Sequence, residues 1–151
     1  MAIPVKQVKT ARINQAKEVS VMAWLEDPYG HVLFVKQALG KKLWTLPGGK
    51  VRRNESLFRA LCREVKEETG LVVSVGSPVD VFDRHQKGNV TILYRILVKK
   101  IPLIVNKKRV LEISASAYKA SLPPAATPSA KFFWMRAQHS FEPLSLIKKV
   151  R

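Results

Sequence analysis

Residues 48–71 read GGKVRRNESLFRALCREVKEETGL, and this stretch gathers acidic residues within a basic chain. The sequence has 151 residues, with 27 Lys and Arg against 11 Asp and Glu, and a formal net charge of +16. Four of those acids fall here, namely Glu55, Glu64, Glu67 and Glu68. So dense a group of carboxylates among Arg and Lys indicates that the segment has a specific chemical task.

The periodicity of this stretch predicts a helix over residues 55–69. Asn54 is a candidate N-cap, and Gly70 is a candidate for the left-handed residue that ends the helix. Apolar residues recur at the i, i+3, i+4 and i+7 positions of a buried helix face, and they are Phe58, Leu61, Cys62 and Val65. The single cysteine, Cys62, is therefore interpreted as a small core residue and not as a reactive thiol.

Three of the glutamates share one side of the predicted helix. Glu64, Glu67 and Glu68 stand at i, i+3 and i+4, where like charges repel one another. A hard divalent cation relieves that repulsion, because such ions prefer carboxylate oxygens and phosphate oxygens as ligands. A solvated Glu/Lys helix face is the alternative. The Gly48-Gly49 turn upstream and the fourth glutamate at the helix start favour a metal site.

The same residues carry a resemblance to a known family. The segment resembles the Nudix box, G-x5-E-x7-R-E-U-x-E-E-x-G-U, in which U is a bulky apolar residue. Every fixed position is matched within residues 49–71, by Gly49, Glu55, Arg63, Glu64, Val65, Glu67, Glu68, Gly70 and Leu71. So many positions at set spacing form a far more specific signal than an isolated glycine motif.

The resemblance implies an α/β/α sandwich with a mixed β-sheet, and a pyrophosphohydrolase that cleaves the diphosphate linkage of a nucleotide-type substrate. Glu64, Glu67, Glu68 and the carbonyl of Gly48 would hold Mg²⁺ or Mn²⁺. Glu64 is also the position most often discussed as activating the attacking water, and the identity of the general base stays open. Arg63 and Glu55 would form an ion pair that orients the loop against the helix.

Some positions depart from the usual family pattern. Many members have a glycine just before the first box glutamate, where this chain has Asn54, a residue that tolerates positive φ. The preceding Arg52-Arg53 pair is either solvated or in contact with an anionic substrate. Glu112 is the best-placed candidate for a further metal ligand. Lys87 and Asn89 occupy positions where two substrate groups of the family carry proline and tyrosine tags, so the substrate stays open.

Outside the box, apolar and β-branched runs predict strands that alternate with two helices. The expected strands are 19–25 and 32–35, joined as a hairpin, followed by 71–75, 79–82, 90–98 and 132–134, with a short extended piece at 44–46. Residues 110–122 fit either strand or helix, and 141–150 have helical spacing. Trp44 is expected in the core in preference to stacking on a base, and Arg84 and His85 are expected at the surface in preference to facing a substrate.

Length and composition limit the remaining possibilities. The prediction is one domain over residues 18–151 after a basic arm at 1–17. A lone cysteine fits a reducing cytoplasm, and no apolar run approaches the roughly 20 residues needed to cross a membrane. The positive charge favours anionic partners, so removal of pyrophosphate from an RNA 5′ end is a second hypothesis. A non-catalytic nucleotide- or RNA-binding module is a third.

Overall fold

The computed structural model describes residues 16–38, 40–74, 76–98 and 113–140, and its elements form a mixed sheet with two helices. In chain order they are β1 (Glu18–Glu26), β2 (Val32–Gln37), β3 (Trp44–Thr45), β4 (Gly48–Lys50), α1 (Leu57–Thr69), β5 (Pro78–Arg84), β6 (Asn89–Leu97), β7 (Ile113–Lys119) and α2 (Pro128–Ser140). A short 3-10 turn, His85–Lys87, joins β5 to β6. Among the described residues, no helix is long and apolar enough to cross a membrane.

The strand β1 organises the sheet. It pairs in parallel with β6 along its whole length, while β2 and β4 pair antiparallel with it. Strand β5 pairs antiparallel with the other side of β6, and β3 and β7 both pair with β2. One parallel pair among antiparallel ones makes the sheet mixed, as expected from the sequence.

Each face of the sheet is covered by one helix, because successive side chains of a strand point to opposite faces. On one face, Val21 and Leu25 of β1 pack with Leu61 and Val65 of α1. On the other face, Trp24 of β1 belongs to a second cluster that also contains the following side chains of β2, β6 and α2: Phe34, Leu93, Ala130 and Phe133. The result is the predicted α/β/α sandwich.

Several predicted elements are confirmed. The hairpin of β1 and β2 turns at residues 27–30, where the Asp27 carboxylate accepts hydrogen bonds from the backbone N–H groups of Tyr29 and His31. Strand β6 is central, between β1 and β5. The ambiguous stretch 110–122 contains a strand, β7. Residues 1–15 of the predicted basic arm 1–17, Glu112 and the predicted helix 141–150 lie outside the described residues.

The start of the box helix is two residues later than predicted. Helix α1 begins at Leu57, and its N-cap is Ser56, whose hydroxyl accepts a hydrogen bond from the Arg59 N–H at 3.1 Å. Asn54 has a φ of 60° and belongs to the preceding turn, so its backbone is not that of an extended N-cap residue. Gly70 ends the helix in the left-handed conformation, with φ 76°, as predicted.

The buried face of α1 is also rotated from the prediction. Leu61 and Val65 are fully buried, but Phe58 is 50% exposed and Cys62 is only half-buried. Ala60 completes the buried face, because the helix presents this small residue to the sheet. The apolar spacing therefore predicted the burial of Leu61 and Val65 correctly, but it was wrong for Phe58.

Two predicted strands are wrong. Residues 71–74 have no regular structure, and 132–134 lie in the middle of α2. The aromatic run at 132–134 resembles a strand in composition, but Pro128 stands at the first helical position and the Thr127 hydroxyl accepts a hydrogen bond from the Ala130 N–H. The three aromatic side chains pack on the sheet from the helix instead.

Candidate functional site

The loop before α1 is fixed against the centre of the sheet by β4. Gly48 pairs with Met22 of β1, and a Cβ at position 48 would collide with the Val21 carbonyl oxygen and lie 2.8 Å from the Met22 Cα. Only glycine permits so close an approach of two backbones. The Val51 N–H donates to the Val19 carbonyl at 2.9 Å, which continues the attachment. The glycines therefore place the start of the loop directly beside β1.

An ion pair closes the loop onto the helix. The Arg63 guanidinium donates from Nε and Nη2 to the two carboxylate oxygens of Glu55, at 2.7 and 2.9 Å. The Arg52 backbone N–H donates a further hydrogen bond to Glu55, also at 2.9 Å. These donors favour the ionised carboxylate, so Arg63 first and Arg52 second lower the pKa of Glu55 to about 2. The predicted pairing of Glu55 and Arg63 is present.

Arg63 also contacts two of the other glutamates. Its Nη1 lies 2.5 Å from a carboxylate oxygen of Glu64 and 3.2 Å from one of Glu67, and its Nη2 donates to the Lys50 carbonyl at 3.2 Å. The hydrogen bonds to Glu55 raise the pKa of Arg63 above its usual value, and the hydrogen bond to Glu64 raises it further by a smaller amount. The Arg63 guanidinium, which is 17% exposed, thus links the loop and the helix start to two glutamates of α1. We call the three glutamates Glu64, Glu67 and Glu68 the acidic edge of α1.

The remaining contacts bring the acidic edge to the glycine turn. A carboxylate oxygen of Glu68 accepts a hydrogen bond from the Gly48 N–H at 2.9 Å. At Gly49 a Cβ would lie 2.6 Å from both Cδ and Oε1 of Glu64. The space that a side chain would occupy at position 49 is therefore directly beside the Glu64 carboxylate. The carboxylate already fills the position that a side chain at residue 49 would need, and only glycine allows so close an approach.

The donor atoms of this site are carboxylate oxygens, which are the ligands that hard divalent cations prefer. Within the part of the chain that the structure describes, no three acidic, His or Cys side chains are grouped closely enough to share a metal ion. Arg63 holds Glu64 and Glu67, and Glu68 turns to the Gly48 N–H. Binding of a cation by all three glutamates would require their carboxylates to move away from these partners.

A cleft of about 780 Å³ opens beside the glycine turn. Gly48, Gly49, Lys50 and Glu68 lie at one side of it, and the rest is lined by residues of β1, β2, β5 and β6, by residues within the segment 40–46, among them Lys41, and by the start of α2. The lining includes several polar side chains that the sequence did not single out for binding, and they are Ser20, Gln37, Asn89, Thr91 and Thr127. A periodic pattern gives no signal for such residues, because they come from separate strands.

Arg84 and Trp44, for which contact with a substrate was considered, differ in their position relative to the cleft. Arg84, for which a surface position was favoured over one that faces a substrate, lines this cleft at the end of β5. Trp44 packs against the second core cluster, as expected, and is not among the residues that line the cleft.

Comparison with known proteins agrees with this geometry. The family model of the NUDIX domain matches residues 16–133. The chain belongs to the Nudix family. The fold matches that of the MutT protein from Methanosarcina mazei Go1, with a TM-score of 0.66 and 23% identity, over 83% of this chain and 95% of the other.

Two curated relatives are similar over shorter segments. The CTP pyrophosphohydrolase of Escherichia coli (strain K12) is 33% identical over 81 residues, which cover 52% of this chain and 60% of the relative. The RNA pyrophosphohydrolase of Saccharophagus degradans (strain 2-40) is 40% identical over 47 residues, 31% of this chain and 28% of that protein. In both cases the match spans less than two thirds of the relative's length.

Proposed function

We propose that this Nudix protein is a divalent-metal-dependent pyrophosphohydrolase that cleaves the diphosphate linkage of a nucleotide-type substrate. The observation that carries the proposal is the position of the acidic edge of α1. The Glu64 and Glu68 carboxylates lie against the Gly48-Gly49 turn, and that turn and Glu68 form one side of a cleft of about 780 Å³. A nucleotide in the cleft would have its phosphates next to these carboxylates.

In this proposal Glu64, Glu67, Glu68 and the Gly48 carbonyl hold the cation, with Mg²⁺ or Mn²⁺ as the candidates. The close approach of the Glu64 and Glu68 carboxylates to the Gly48-Gly49 turn supports this assignment. When bound, a divalent cation neutralises phosphate charge and lowers the pKa of a water molecule. Nudix proteins in general use a divalent metal ion.

The remaining box residues position these groups. Glu55 and Arg63 keep the loop and the helix in one geometry through two parallel hydrogen bonds, which are strong because both partners are charged. Arg63 also balances the repulsion between Glu64 and Glu67 when no cation is present. Hydrolysis breaks a P–O bond of the diphosphate bridge and adds the water oxygen to phosphorus, which needs mainly positioning and charge neutralisation.

The test is a substrate panel with purified protein. It contains nucleoside triphosphates, nucleoside diphosphate sugars, dinucleoside polyphosphates and 5′-triphosphate RNA, each with and without Mg²⁺. We expect product release that requires the metal and is lost in a Glu67→Gln, Glu68→Gln double variant. Asp83→Asn is the control, because Asp83 is exposed and pairs only with Lys17 among the described residues. Wild-type turnover by the double variant would reject the metal assignment.

Hydrolysis of RNA 5′ ends is the second candidate. It is supported by the net charge of +16, by the exposed Arg52 and Arg53 on the box loop, and by similarity to an RNA pyrophosphohydrolase. If many phosphates are contacted, binding of RNA must weaken steeply with salt. Salt-insensitive binding, or none, would remove this candidate. Nucleotide binding with no turnover on any substrate would instead identify a non-catalytic module.

A further inference from the structure

Arg84 lies at the end of the cleft that is remote from the acidic edge. The strand order across the cleft floor is β4, β1, β6, β5, with Lys50 opposite Ser20, Glu18 opposite Asn89, and Asn89 opposite Arg84. Neighbouring strands are about 4.8 Å apart, so three spacings place Arg84 roughly 14 Å from β4. That distance is comparable to the length of an extended nucleoside diphosphate.

An aromatic column holds the Arg84 side chain in place. Its guanidinium carbon is 5.9 Å from the centre of the Phe82 ring, and Phe82 stacks on Phe132 of α2 at 4.0 Å with an interplanar angle of 9°. The Arg136 guanidinium also lies 5.7 Å from the Phe132 ring centre, and it pairs with Asp80. A guanidinium held on an aromatic face loses less entropy when it binds a ligand.

Arg84 forms no ion pair with a carboxylate among the described residues. Other basic groups nearby are paired: Lys50 with Glu18 at 2.9 Å, and Lys17 with Asp83 at 2.6 Å. Arg84 has no such ion pair within residues 16–38, 40–74, 76–98 and 113–140, and it lines the cleft. Its planar fork of N–H donors is therefore available to a ligand there.

The neighbouring Asn89 has its amide engaged in the sheet. Its Nδ2 donates to the Glu18 carbonyl at 3.2 Å and the Ser20 hydroxyl at 3.3 Å, and its Oδ1 accepts from the Thr91 hydroxyl at 3.1 Å. Apolar atoms of Met22 also line the cleft. At this end of the cleft, Arg84 is the cationic side chain with a directional donor pattern.

We propose that Arg84 determines specificity by donating two hydrogen bonds to the nucleobase of the substrate. This rests on the proposed function, which puts the phosphates at the carboxylates and so the base at the far end. A guanidinium pairs bidentately with a carbonyl oxygen beside a ring-nitrogen acceptor, as guanine and cytosine present and adenine does not. The ligand class is a nucleotide whose base carries such a pair of acceptors.

The experiment compares Arg84→Ala and Arg84→Lys with wild type, using GTP, CTP and ATP. We expect Arg84→Ala to lower kcat/KM for GTP and CTP by roughly 10- to 100-fold and to leave ATP nearly unchanged. Arg84→Lys should restore little of the kcat/KM for GTP and CTP that Arg84→Ala loses, because an ammonium group cannot pair bidentately. The charge control is Lys87→Ala, since Lys87 is exposed on the adjacent turn and does not line the cleft.

Two results would overturn the inference while the proposed hydrolysis stands. One is an equal loss for all three nucleotides that Arg84→Lys restores, which would indicate attraction of phosphate charge. The other is a preference of Arg84→Ala for GTP and CTP over ATP that equals the preference of wild type. If wild type hydrolyses none of them, binding of non-hydrolysable α,β-methylene GTP and ATP gives a separate readout. Arg84→Ala should then weaken binding of the guanine analogue alone, and equal binding would refute the assignment.

Discussion

Replacing Gly49 by alanine tests whether the position of the Glu64 carboxylate matters. The new Cβ would lie 2.6 Å from Glu64 Cδ and Oε1, whereas ordinary contacts are 3.4–4 Å. The carboxylate must therefore retreat by about 1 Å. A misplacement of about 1 Å can cost on the order of 100-fold in rate. We expect kcat/KM with the best substrate of the panel to fall by roughly that factor.

The same substitution should hardly change stability. Gly49 does not have a positive φ, and the atoms in the way are the end of a side chain that can rotate. A tolerated Gly→Ala change stabilises by about 0.4–1 kcal/mol through the unfolded chain, which offsets the local crowding. The melting temperature should shift by no more than a few degrees. Gly76→Ala is the control, because a Cβ there meets nothing within 4 Å. Turnover by Gly49→Ala within twofold of wild type would refute the argument.

Further predictions concern the ion pair and the packing of α1. The pKa of Glu55 is lowered from 4.5 to about 2, so its contribution to stability is complete above pH 4.5 and disappears as the pH falls to about 2. Glu55→Gln should therefore melt lower than wild type at pH 7, and the difference should shrink towards pH 2 in thermal melts; a constant difference would contradict the pairing. Leu61→Ala should lower the free energy of unfolding by about 2–5 kcal/mol in urea titrations, because Leu61 is fully buried. Phe58→Ala, at a half-exposed site, should change it far less, and equal losses would show that the helix packs in another rotation.

The Nudix box at residues 49–71 could be predicted from the sequence because its interacting residues are close along the chain. Glu64, Glu67 and Glu68 share a side through helical geometry alone, and Glu55 reaches Arg63 over one loop and two turns of helix. The left-handed end at Gly70 is likewise a local property of the backbone. The α/β/α sandwich with a mixed sheet followed from the Nudix resemblance, and the hairpin of β1 and β2 followed from its turn residues.

Other features depended on neighbours that are distant along the chain. The side of α1 that is buried is chosen by the sheet, so Phe58 is exposed although its spacing fits the apolar stripe. The aromatic residues at 132–134 have strand-like composition, but packing on Phe82 and on the core suits them to a helix. Local propensity is weak against such tertiary contacts.

The sequence by itself determined the acidic edge, the loop that precedes it and the family to which they belong, because those groups are close along the chain. Only the tertiary structure placed Arg84 in the same cleft as Glu68, since strands β4 and β5 are brought to opposite sides of that cleft by β1 and β6. Pairing between strands depends on backbone hydrogen bonds that carry no side-chain signature, and it is this pairing that assembles the wall of the cleft.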